Sequence, residues 1–132
     1  MTRDEFLARI DEAYGYRVEG NVEAIRSMFA PDGIFRIGGG RLPLQGVLHA
    51  EPSAVAAISA LIDNYVFKSV QRLGAIVEGN KAAVLSRAEI APLNGPVHSV
   101  ELFDLVTIGP DGRFTSFIQF IDAGFIATLA RQ

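Results

Sequence analysis

Cysteine is absent from this chain of 132 residues, and histidine occurs only as His49 and His98. The first absence excludes disulfides, thiol nucleophiles and zinc or iron–sulfur sites built on cysteine. The two histidines lie far apart and form no HExxH-like pair, so no metal is expected. No organic cofactor is expected either. Long apolar runs are lacking too, since the longest, AVAAISALI, is too short to span a bilayer. The opening MTRDEFLARI is charged and amphipathic, without the apolar core of a signal peptide. A cytoplasmic protein is the expectation. Charge of one sign is also missing: 12 Lys and Arg against 15 Asp and Glu leave a net charge of −3. The basic residues are scattered, which favours neither a nucleic-acid groove nor an anionic membrane surface. Linkers, internal repeats and low-complexity tracts are not found.

What is present is apolar. Hydrophobic residues make up 49% of the chain and charged residues 20%, enough to build a core and to exclude disorder. One domain over residues 1–132 is the simplest reading. The mean hydropathy of +0.26 points to a lined cavity, a subunit interface or both.

The first half reads as helical. Thr2 and Glu5 form a capping-box pattern, after which Phe6, Ile10, Ala13, Tyr14 and Arg17 share a helical stripe. Gly20-Asn21 ends that helix, and Asn21 can cap a short second one through Phe29. Pro31-Asp32-Gly33 predicts a turn before a brief strand, Ile34 to Ile37. SAVAAISALIDNY, Ser53 to Tyr65, predicts a third helix. The second half changes period: residues 66–77, 81–91, 97–108 and 113–122 are strand-like. Gly79-Asn80, Asn94-Gly95 and Gly109-Pro110-Asp111-Gly112 join them as hairpin turns. A last helix, about Ala123 to Arg131, closes the chain. Helices followed by an antiparallel meander define an α+β fold: a curved sheet with helices against one face, enclosing a cavity.

Within 98-HSVELFDLVTIG-109, alternation places His98, Val100, Leu102, Asp104, Val106 and Ile108 on one face. A carboxylate among branched aliphatics is costly to bury unless it is paired or takes up a proton. A neutral acid there can donate a hydrogen bond to a developing oxyanion; an acid bridged to an arginine is merely structural. In 85-LSRAEI-90, Arg87 and Glu89 point the same way, as an orienting and protonating pair or as a surface ion pair. Gly38-Gly39-Gly40 lacks the lysine and helix start of a phosphate loop, although Arg36 and Arg41 beside it could rim an anion site. His49 is assigned no role.

Three segments carry a resemblance over essentially the whole chain: AYGYRVEGNVEAIRSMFAPDGIFRI, LQGVLHAEPSAV and ELFDLVTIGPDGRFTSFIQFID. They resemble the nuclear transport factor 2-like superfamily, and within it the SnoaL-like, polyketide-cyclase-like and ketosteroid isomerase-like domains. The resemblance implies a cystatin-like cone, with the curved sheet wrapped by N-terminal helices around an internal pocket. It puts Tyr14 at the position of the isomerase's tyrosine donor and Asp104 at that of its protonated aspartic acid. The isomerase's general base belongs near Ile37 or Gly38, where FRIGGG offers no carboxylate. Arg87 and Glu89 resemble the arginine and acid of limonene epoxide hydrolase, whose water-activating aspartate position is Gln119 here.

The resulting expectation is a small-molecule-binding domain for a cyclic or carbonyl-bearing apolar ligand. Tyr14, Asp104, Arg87 and Glu89 are its candidate catalytic residues, and Gln119, His98, Phe117, Phe35 and Tyr65 its candidate ligand contacts. If it is an enzyme, the chemistry is that of an acid/base isomerase, cyclase or hydratase. The alternative is a non-catalytic binding or dimerisation module whose interior polar groups are structural. A homodimer is expected in either case, through a convex stripe of Val84, Ser86, Ala88 and Ile90.

Overall fold

Reciprocal hydrogen bonds between Thr2 and Glu5, each 3.1 Å, close the expected capping box and start the first helix. Helix α1 spans Arg3–Glu19 and ends on Gly20 in the left-handed conformation, φ 71°. Asn21 then caps α2, Val22–Met28. The computed structural model describes residues 1–38, 58 and 62–121. Most of the expected third helix, the last helix, His49 and Arg41 therefore lie outside the described residues. Residues 62–64 are helical, and Tyr65 already begins a strand instead of ending that helix.

Five strands follow: β1, Phe29–Ile37; β2, Tyr65–Glu78; β3, Lys81–Pro92; β4, His98–Ile108; and β5, Phe114–Phe120. Their order across the sheet is β1-β5-β4-β3-β2. The last four form the expected antiparallel meander, whereas β1 runs parallel to β5 at the sheet's end. The fold is thus α+β with a mixed, curved and unclosed sheet. Bulges between Phe67 and Ser69 and between Arg72 and Gly74 help to bend β2.

The expected turn at Pro31-Asp32-Gly33 is instead an irregularity inside β1, where the register with β5 shifts between Phe29 and Ile34. Gly33 is needed there because a Cβ would lie 2.7 Å from the Phe114 carbonyl oxygen.

Helix α1 lies across the concave face. Arg9 donates to the Gly112 carbonyl at the β4–β5 turn, and Arg72 of β2 holds both oxygens of Asp11 at 2.8 Å. Phe6, Leu7, Ile10 and Tyr14 from α1 meet Val84, Ala88 and Ile90 of β3, Leu102 and Val106 of β4, and Phe114 and Phe117 of β5. The inward set of β4 is the expected one: Val100, Leu102, Asp104, Val106 and Ile108 are all buried.

Candidate functional site

Strand register brings two of the site's polar groups together. Asp104 of β4 sits directly opposite Gln119 of β5, and Gln119 in turn pairs with Ile37 of β1. Residues facing each other across a ladder share a face, so both side chains project from the concave side. Tyr14 reaches them from α1: its hydroxyl hydrogen-bonds Asp104 Oδ2 and accepts from Gln119 Nε2 at 3.0 Å. The Tyr14 ring is fixed by Phe67, stacked at 6.4 Å, and by Phe117, which meets it edge-on at 6.2 Å. All three polar residues are buried, Asp104 completely.

Burial in apolar surroundings pushes the Asp104 carboxyl up to about 7, while the Tyr14 hydroxyl and the Gln119 amide pull the other way. No lysine or arginine among the described residues bridges to Asp104. Its Oδ1 is buried without a hydrogen-bond partner among those residues. Tyr14 is raised well above its ordinary value, first by burial and then by the Asp104 charge, so it stays a neutral phenol.

These facts define two states. With Asp104 ionised, its Oδ2 takes the Tyr14 proton in a hydrogen bond and the phenol has none left to donate. With Asp104 neutral and its proton on Oδ2, the Tyr14 oxygen accepts from both Asp104 and Gln119. The phenol hydrogen is then free to donate elsewhere.

Where that hydrogen can go is an apolar cavity. Tyr14, Arg17, Tyr65 and Gln119 supply its polar edge, and Phe29, Phe35, Ile37, Ile58, Phe67, Ile90 and Phe117 are among its apolar walls. Asp104 does not line the cavity; it stands behind Tyr14 and Gln119 and acts on the cavity through them. No carboxylate lines the wall at Ile37, so the cavity offers a donor without a neighbouring base among the described residues.

Arg17, placed on the α1 stripe but given no role from the sequence, is the residue that sequence reasoning missed. It is 9% exposed, lies 4.1 Å over the Phe67 ring, and donates to the Tyr65 carbonyl at 3.0 Å. Its position three residues after Tyr14 on the same helix face was the available signal.

The structure gathers Tyr14, Gln119, Phe117, Phe35 and Tyr65 around the cavity, with Asp104 directly behind. It does not bring Arg87, Glu89 or His98 there. The two faces of β3 are the reverse of the expected ones. Val84 is paired with Asp104, Ser86 with Leu102 and Ala88 with Val100, so these residues are buried on the concave side. Arg87 and Glu89 project from the opposite face, Arg87 beside Glu101. They cannot act on a ligand in the cavity from that face, and Val84, Ser86, Ala88 and Ile90 cannot form a convex stripe. His98, half-buried at the start of β4 opposite Ile90, is not a cavity residue.

No family model matches the chain, and no curated protein sequence does. Solved structures match its fold over nearly full length. A nuclear transport factor 2-like protein of unknown function from Burkholderia pseudomallei is similar at a TM-score of 0.76, 14% identity and 100% coverage of both chains. TerC, crystallised with polyporic acid, is similar at a TM-score of 0.73 and 17% identity, over 96% of this chain and 98% of that one. SalBIII, an epoxide hydrolase/cyclase-like enzyme of pyran ring formation in the polyether salinomycin, gives a TM-score of 0.70. Its identity is 17%, over 92% of this chain and 93% of that one. The fold of this chain is nuclear transport factor 2-like, and an epoxide hydrolase/cyclase-like enzyme is among its structural neighbours.

Proposed function

We propose that this chain is a SnoaL-like domain that binds a small, cyclic, carbonyl-bearing apolar molecule and acts on it as an acid-type isomerase, cyclase or hydratase. The observation that carries this reading is the buried chain Asp104–Tyr14–Gln119, ending in a phenol on the wall of an apolar cavity. A preorganised donor in an apolar cavity is suited to stabilise charge developing on a carbonyl or epoxide oxygen. Asp104 holds the proton that releases the Tyr14 hydrogen, and Gln119 keeps the phenol oxygen in place. That a fold neighbour takes part in pyran ring formation agrees with cyclase chemistry that yields a ring.

A non-catalytic binding module is the second reading. It is favoured by the absence of a carboxylate beside Ile37 among the described residues and by Gln119, which cannot serve as a base.

A thermal-shift screen of steroids, terpenoid epoxides and aromatic polyketides, followed by calorimetry and product analysis, tests both. A carbonyl ligand should bind Tyr14→Phe about tenfold more weakly than wild type. Wild-type affinity should fall as pH rises through about 7, when Asp104 ionises and claims the phenol hydrogen. Turnover of the same ligand makes the protein an enzyme, and binding without turnover makes it a binding module. An affinity indifferent to both Tyr14 and pH would refute the donor role.

A further inference from the structure

Arg17 is a cation that no acid meets among the described residues. Among the described residues it forms no ion pair, although exposed arginines elsewhere in the chain, such as Arg72 with Asp11, readily do. One of its nitrogens donates to the Tyr65 carbonyl, and Phe67 covers one face of the guanidinium. Burial lowers its pKa only to about 10, so it remains charged at neutral pH. A buried charge left uncompensated is expensive, and a fold of this size has simpler ways to fill a cavity wall. The guanidinium presents five N–H donors in a planar fork matched to a carboxylate, while a single carbonyl uses one of them.

Placement adds a second constraint. Tyr14 and Arg17 sit three residues apart on α1 and both line the cavity, so their Cβ atoms are separated by about 5–6 Å. Two polar ends of one ligand can meet both residues while its ring lies among Phe29, Phe35 and Phe117.

We infer that the cavity is built for cyclic apolar carboxylates, with the carboxylate held by Arg17 while a ring carbonyl or hydroxyl meets Tyr14. This inference rests on the reading of the cavity as a ligand site and narrows that reading to organic anions. It also gives Arg17 a role in specificity rather than in proton transfer, since a guanidinium does not release its proton near neutral pH.

Calorimetry with a tetralone carboxylate and its methyl ester, on the full chain at neutral pH, tests it. The pair differs in charge and shares the ring and the carbonyl. The wild type should bind the acid about tenfold or more tightly than the ester. In Arg17→Met that preference should vanish while the ester still binds, and Arg17→Lys should keep part of it. Melting curves establish that each variant is folded; if Arg17→Met is not, Arg17→Lys carries the comparison. Equal wild-type affinity for acid and ester, or an acid preference unchanged in the variants, would overturn the inference. Ester binding that still depends on Tyr14 would then leave the ligand-site reading standing. Binding of neither compound would overturn both.

Discussion

Asp104 combines complete burial, no cationic partner among the described residues and one unsatisfied oxygen. Its titration therefore bears on stability as well as on chemistry. The carboxyl is raised from 3.8 to about 7 on folding, so between those values the folded chain holds a proton that the unfolded chain has released. Stability from this group is full below the unfolded value and is lost progressively as pH rises through the folded one. By linkage the loss is on the order of a few kcal/mol. Asp104→Asn removes the titration but keeps a polar group of the same shape beside Tyr14. Urea unfolding at a series of pH values should show wild type losing stability from about pH 4 to 7. The variant should lose much less over that range and be the more stable of the two at pH 8. Parallel profiles for the two proteins would mean that Asp104 is ionised throughout.

At the scale of elements, legibility followed the strength of local patterning. The capping box, the α1 stripe and the alternation of β4 are strong periodic signals, and all three appear as read. They place Tyr14, Arg17 and Asp104 on inward faces. Strand β3 was misread because the resemblance put the charged pair Arg87 and Glu89 toward the cavity, against the polarity of its two faces. One carries Val84, Ser86, Ala88 and Ile90, and the other Ala83, Leu85, Arg87 and Glu89. The pairing of Val84 with Asp104 makes the less polar of the two the buried face. The parallel union of β1 with β5 is equally invisible locally, because the two strands lie at opposite ends of the chain. Pro31, Asp32 and Gly33 look like a turn for sound reasons of propensity. The sheet absorbs them as a break in register, with Gly33 admitting the Phe114 carbonyl.

At the scale of the whole molecule, the face of the sheet away from α1 is the apolar surplus that the composition announces. Phe103 and Phe120 are cross-strand partners there, 46% and 43% exposed, with Leu105 next along β4. We propose this patch, instead of the stripe first expected on β3, as the contact of a homodimer. Light scattering should give twice the chain mass for wild type and the single mass for Phe103→Glu; a monomeric wild type would refute the contact. Among the described residues, no helix is long and apolar enough to cross a membrane.

The account turns on a proton held by Asp104 behind Tyr14, and carbon-13 NMR of the aspartate carboxyl groups observes it directly. One resonance, absent from Asp104→Asn, should titrate near pH 7, far above the ordinary carboxylate range. In Tyr14→Phe the midpoint should move higher still, because the hydrogen bond that favours the ionised form is gone. An Asp104 resonance that titrates in the ordinary carboxylate range would contradict the account, since Tyr14 would then have no free hydrogen at neutral pH.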